Sequence, residues 1–345
     1  MAYISFQPSD YFNTKIWTGN GSTNALTSVG FQPDWVWIKQ RGGTTDHHFY
    51  DAVRGVTKAL ASNNTDGETT KSTGLTAFGS DGFTLGADGG VNGSSNTYVG
   101  WSWKANGQGS ANTDGSINTT YTSANTTAGI SIIQYTGNST SGATIAHGLG
   151  AVPKVFMCKK YNSSGDSWRM YTEMTGNGSQ LALDQTSAAD SGNSAMWNST
   201  SPTSTLITLG NHTGVNGNTD TFICYAFAEK KGFSKFGKYK GNGSADGTFV
   251  YTGFKPSLII YKNYELTQSW NMNDTKRLGY NPNNAFLFPN LTQAESDITR
   301  IDIVSNGFKF RTTDDGQNGS GYDFIFMAFA EEPLVSSNGV PATAR

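Results

Sequence analysis

Three stretches of similar character limit what this chain can fold into. They are Asn96-Thr97-Tyr98-Val99-Gly100-Trp101-Ser102-Trp103-Lys104, Asp220-Thr221-Phe222-Ile223-Cys224-Tyr225-Ala226-Phe227-Ala228-Glu229 and Tyr322-Asp323-Phe324-Ile325-Phe326-Met327-Ala328-Phe329-Ala330-Glu331. Each follows a turn rich in Gly and Asn: Val91-Asn92-Gly93-Ser94, Val215-Asn216-Gly217-Asn218 and Gln317-Asn318-Gly319-Ser320. They recur roughly every hundred residues, the size of a small domain. The chain therefore reads as three copies of one unit, each closed by an apolar strand.

A second block repeats near the start of each copy. Gly30-Phe31-Gln32-Pro33-Asp34-Trp35-Val36-Trp37-Ile38-Lys39 answers to Gly150-Ala151-Val152-Pro153-Lys154-Val155-Phe156-Met157-Cys158-Lys159 and to Gly253-Phe254-Lys255-Pro256-Ser257-Leu258-Ile259-Ile260-Tyr261-Lys262. Proline suits the entry to a strand, where no ladder donor is needed. The apolar run behind it implies a strand covered on both faces. Lys39, Lys159 and Lys262 are expected at solvated strand ends. Aromatic-x-Gly-Asn turns at Trp17 to Asn20, Tyr135 to Asn138 and Tyr239 to Asn242 are hairpin signals.

With 42 Gly, only 14 % charged residues and 12 % aromatics among 345 residues, the composition favours short strands and polar turns over helices or disorder. Each copy offers about six to eight strand candidates, as a β-sandwich requires. The expected fold is all-β, three tandem antiparallel sandwiches of concanavalin or jelly-roll type. Copy one takes residues 1–106 with a short N-terminal docking segment, copy two 128–230, copy three 231–332, and an extended tail 333–345. Residues 107–127, almost wholly Gly, Ser, Asn, Thr and Ala, are expected as a linker, with an edge strand near Tyr121 as the alternative. On the closing strands the bulky face (Val99, Trp101, Trp103; Ile223, Tyr225, Phe227; Ile325, Met327, Phe329) is expected to fill each sandwich. The smaller face would lie under a loop or a neighbouring subunit.

A net charge of −2 without a basic stripe argues against nucleic acid as a partner. No segment approaches the ~20 apolar residues of a membrane helix, and the N-terminus lacks a signal-peptide pattern. The expected place of synthesis is a cytoplasm. Cys158 and Cys224 replace non-sulfur residues of the other copies and are expected as buried free thiols, with a bridge between the strands of copy two as the alternative.

Signs of catalysis are sparse. His47 and His48, beside Asp46 and Asp51, point to opposite faces if they lie on a strand and cannot share a ligand sphere. No nucleophile elbow, phosphate loop or zinc pattern occurs. Asp- and Asn-rich turns such as Asp314-Asp315-Gly316-Gln317-Asn318 have the ligands calcium uses, but hairpin turns need the same residues. No catalytic residue, metal site or cofactor is assigned. Aromatic faces can stack on sugar rings, which makes Trp168, Trp270 and Trp197 candidate glycan contacts, with core packing as the competing explanation.

Several short motifs, in order, resemble one known group. Phe6-Gln7-Pro8-Ser9-Asp10-Tyr11-Phe12-Asn13-Thr14, Asn112-Thr113-Asp114-Gly115-Ser116-Ile117, His147-Gly148-Leu149-Gly150 and Phe329-Ala330-Glu331-Glu332-Pro333 are similar to segments of virion proteins from marine bacteriophages and their metagenomic relatives. Those proteins repeat a domain of unknown function described as concanavalin-like, and are usually described as tail-fibre or structural proteins. The resemblance implies a virion component assembled in the host cytoplasm. Its partners would be other virion proteins, further copies of itself (a trimer by preference) and a host-surface glycan. A capsid-decoration or collar fibre, or a non-catalytic carbohydrate-binding protein, is the alternative. The group supplies no catalytic residue.

Overall fold

The computed structural model describes residues 7–278 and 280–333. Strand accounts for 41 % and helix for 5 %, so the protein is all-β. The three apolar stretches are the strands Thr97–Trp103, Thr221–Phe227 and Asp323–Pro333. Each is an inner strand of its sheet. It runs antiparallel between an opening strand (Phe12–Thr18, Ile130–Thr136, Ser234–Lys240) and a Pro-led strand (Trp35–Gln40, Val155–Lys160, Phe254–Asn263). Central placement follows from sequence, because a strand apolar on both faces must be covered on both.

The sheets continue outward through His48–Asp51 and Lys58–Ala61 in copy one, Arg169–Thr172 and Ser179–Ala182 in copy two, and Asn271–Asp274 and Asn283–Leu287 in copy three. Smaller sheets lie over copies one (Asn24–Leu26, Leu75–Gly79, Gly82–Leu85) and two (Thr144–Ala146, Leu206–Thr208). In copy three the corresponding strands stay joined to the main sheet, which reaches eight strands.

The two faces of the closing strand do the reverse of what sequence suggested. The smaller face (Tyr98; Phe222, Cys224, Ala226; Phe324, Phe326, Ala328) fills a separate core inside each copy. The bulky face of all three copies enters one common core with Trp35, Trp37, Trp168, Trp270, Met157 and Leu258. Three sheet faces meeting around one centre need long side chains to span the gap. The space within a copy is tighter: a Cβ on Gly100 would sit 3.0 Å from the Trp17 ring. The common core is well filled: a cavity among Trp35, Trp37, Trp103 and Trp270 measures about 10 Å³, at or below what a single water needs.

The copies are therefore not strung in a row; they close on one another. A backbone bond joins each neighbouring pair: Glu68 N donates to Tyr161 O (2.8 Å), Ala189 N to Tyr264 O (2.7 Å) and Glu295 N to Arg41 O (2.7 Å). The acceptors hold the same position in each copy, two residues past the shared lysine. The third bond returns from copy three to copy one and completes a ring.

Within each copy the Gly-Asn turn docks against the turn that precedes the closing strand. Buried Asn92, Asn216 and Asn318 each accept from the turn backbone (Asn20 N, Asn138 N, Asn242 N) and donate to surrounding carbonyls. The glycines are required by close approach: a Cβ on Gly19, Gly137 or Gly241 would fall within 2.4 Å of the Gly93, Gly217 or Gly319 carbonyl oxygen.

Residues 107–127 take the edge-strand alternative rather than a free linker. Tyr121–Asn125 pairs with Ile130–Thr136, and Ile117 is buried in copy two's core. Of the proposed docking segment, residues 1–6 lie outside the described residues, as does the tail 334–345. The described part is folded onto the protein itself, with the Phe12 ring stacked 5.5 Å from Phe329 of copy three. Cys158 and Cys224 are buried, free and opposite one another across the sheet.

Candidate functional site

The three tryptophans expected as glycan contacts are fully buried and cannot meet a sugar. Trp168 and Trp270 hold the ring together, their indole nitrogens donating across copies to Ala61 O (2.7 Å) and Ala182 O (2.9 Å). Trp197 donates to Ser179 O at 3.1 Å inside copy two and packs edge-on to Phe156. A buried indole keeps one polar group that needs a partner, and for these three a nearby carbonyl supplies it. The sequence shows matching positions but not the ring closure that buries them.

His47 holds the position of these tryptophans in copy one. Its Nδ1 accepts from Trp37 Nε1 at 2.9 Å, which assigns the proton to Nε2. Phe288 O is the corresponding carbonyl of copy three, but Nε2 falls short of hydrogen-bond geometry. Burial, then the charges of Lys39, His48 and Arg277, hold its pKa well below the ordinary histidine range. His48, His147 and His212 are also lowered, chiefly by burial.

These shifts have a definite sign. Each histidine binds a proton less readily folded than unfolded, so the unfolded chain takes up protons first as pH drops below about 6.5. The stability they contribute is complete above that value and is lost on acidification. The urea midpoint is expected to fall between pH 7.5 and 5.5; an unchanged midpoint would contradict the burial of these rings.

The shared lysines are not at solvated ends. Lys39, Lys159 and Lys262 are fully buried, and burial lowers each pKa to about 8. Lys39 Nζ donates to Gln40 O and Gly43 O, and Lys159 Nζ to Asp166 O. Lys262 Nζ donates to Gln268 O (2.6 Å) and, across the joint, to Thr186 O of copy two (3.0 Å). Three ammonium groups satisfied by carbonyls tie loops to strand ends and are not arranged for transfer chemistry.

Buried acids are likewise committed. Asp51 accepts from Arg54 Nε at 2.6 Å and from Tyr225 Oη of copy two at 2.7 Å. Asp274 repeats the arrangement with Arg277 Nε (2.5 Å) and Trp101 Nε1 of copy one (3.2 Å). Glu295 bridges Arg41 and Arg277; burial raises its pKa, but the two guanidiniums bring it below the ordinary value. Among the described residues no group of three or more His, Cys, Asp or Glu side chains is placed to hold a metal ion. Nor is any described helix long and apolar enough to cross a membrane.

One concave region stands apart from this internal bonding. A surface cavity of about 320 Å³ in copy three is lined by Ser269, Asn271, Phe288, Gln293, Arg300 and Gln317, among others. Gln317 occupies the position of Val91 and Val215, which lie in apolar cores of their own copies. The equivalence is fixed by backbone bonds: Trp17 Nε1, Tyr135 Oη and Tyr239 Oη donate to the carbonyls of Val91, Val215 and Gln317. Gln317 Nε2 donates to Asn271 Oδ1 at 3.1 Å, while Oε1 is buried and accepts no hydrogen bond from the described residues. Arg300 stacks over Phe286 and pairs with Asp314 at 3.1 Å, leaving its Nε unbonded. The sequence signal was the break in the repeat itself, Gln-Asn-Gly where the other copies have Val-Asn-Gly.

A family model described as a domain of unknown function (DUF7483) matches residues 7–333. The chain belongs to this family. That single match spans all three copies, in keeping with a unit that closes only when all three are present. No curated protein and no solved structure matches this DUF7483 chain.

Proposed function

We propose that this DUF7483 protein is a structural component of a bacteriophage virion, a tail-fibre or adhesin subunit that contributes to host-surface recognition without catalysis. The observation that carries the proposal is the closed ring of three copies around one aromatic core. Its buried Trp168, Trp270, Lys39, Lys159, Lys262, Asp51 and Asp274 are spent on internal bonds, leaving a stiff platform whose outer loops differ between copies. Loops on a rigid scaffold are where binding surfaces are usually built. Each copy is read as a small antiparallel sandwich, and the chain assembles with further copies, by preference as a trimer, so that weak contacts add by multivalency.

Mass spectrometry of purified particles tests the location. The protein is expected among the virion proteins, and its absence overturns the proposal. Immunogold labelling then separates tail from capsid; label on the capsid alone would favour a decoration role over an adhesin.

A further inference from the structure

We infer that the joint between copy three and copy one is where the ring opens, and that a proton taken up by His47 opens it. The device belongs to the fold and is independent of the role proposed above. Residues 106–127 and 230–233 carry the chain across the first two joints, whereas contacts close the third. The first two are also latched by a buried indole, Trp168 donating to Ala61 O and Trp270 to Ala182 O. At the third joint His47 stands in the indole's place, and its Nε2 faces Phe288 O without reaching hydrogen-bond geometry. Polar groups take over there. Ser62 Oγ donates to Pro289 O at 2.6 Å, and Trp101 Nε1 to Asp274 at 3.2 Å. The Glu295 carboxylate takes Arg41 at 2.8 Å and Arg277 at 3.1 Å, and solvent reaches its side chain.

The closed joint accepts only a neutral ring. Trp37 Nε1 can only donate, and it points at His47 Nδ1 from 2.9 Å. A proton on Nδ1 would set two donors against each other. The charged groups facing the ring are Lys39 from the adjoining strand, His48 from its own strand and Arg277 from copy three, none of them an acid. Nearby carboxylates are committed, Asp46 to Asn63, and Asp274 and Glu295 to Arg277. Opening frees His47 to bind a proton at the ordinary histidine value of about 6.5. The open form therefore holds more protons below that pH, and the opening constant rises about tenfold between pH 7.5 and 5.5. Glu295 adds nothing in this window, because its guanidinium partners keep its pKa below the ordinary carboxylate value. Lys39 stays with carbonyls of its own copy, Gln40 and Gly43. The other histidines lie elsewhere: His48 Nε2 rests against Gly90 of copy one, and His147 and His212 bond within copy two.

The test is amide hydrogen exchange of the full chain by mass spectrometry at pH 7.5 and 5.5, with rates corrected for the intrinsic effect of pH. The Glu68, Ala189 and Glu295 amides make the three equivalent bonds between copies, and separate peptides report them. Protection at Glu295 is expected to fall about tenfold at the lower pH, while Glu68 and Ala189 keep theirs. Unchanged protection at Glu295 overturns the opening. Equal loss at all three amides also overturns it, since the whole chain would then be unfolding. His47→Gln offers Trp37 an acceptor and cannot titrate, so it is expected to abolish the pH dependence at Glu295. Dependence that persists in this variant overturns the assignment to His47. The comparison of the three amides in the unsubstituted chain stands even where the variant does not fold.

Discussion

Trp35→Ala is expected to destabilise the whole chain by about 3–5 kcal/mol, the usual cost of removing a buried aromatic. Trp35 stacks on Trp103 at 4.2 Å in its own copy and on Tyr225 at 4.7 Å in copy two, with Phe49 edge-on at 5.2 Å. It therefore adds ring contacts to the Glu68–Tyr161 backbone bond that joins the same two copies. Because all three copies share this core, urea unfolding followed by tryptophan fluorescence and by far-UV circular dichroism should show one coincident transition. The variant should shift that transition to lower urea without splitting it. Separate transitions, with only one moved, would mean that the copies are independently stable units and that the shared core contributes little.

Asp51→Asn is expected to cost up to a similar amount, about 3–5 kcal/mol, by removing the nearest counter-charge of a buried guanidinium and leaving it only Glu68 at 3.4 Å. Arg54 is almost wholly inaccessible, and Asp51 receives both its Nε and the Tyr225 hydroxyl. The double variant Asp51→Asn/Arg54→Leu should recover part of the loss, since removing both charges avoids the unpaired one. Copy two provides an internal comparison. Thr172 stands at the Asp51 position, opposite Val155 as Asp51 is opposite Trp35, and carries no such pair. A fold that forms one joint without the ion pair can tolerate its removal elsewhere, at a cost in stability but not in topology. An Asp51→Asn protein as stable as the parent would show that the pair is solvated.

The triplication, the all-β class and the identity of the inner strands were legible because local rules decide them. Apolar runs of strand length, Pro at the entry and Gly-Asn at the turns act within a few residues. The Gly19, Gly137 and Gly241 turns were recognised as turns, yet their reason is a docking contact with a carbonyl more than seventy residues later. Lys39, Lys159 and Lys262 show why the rest was hidden. At a strand end, lysine is normally solvated, and only the loops packed over these three bury them.

Trp168 and Trp270 mark the same boundary. Their matching positions were visible, but not the neighbouring copy that makes one indole a donor to Ala61 and the other to Ala182. By itself the sequence determined that three like units exist, that each closes on an apolar strand and that its two faces differ in bulk. Tertiary structure decided which face looks inward to the common centre, that the copies close into a ring, and that Gln317 breaks the pattern beside a cavity. The physical reason is range. Strand alternation is set by each residue and its neighbours, whereas the covering of a face depends on sheets brought together from a hundred residues away.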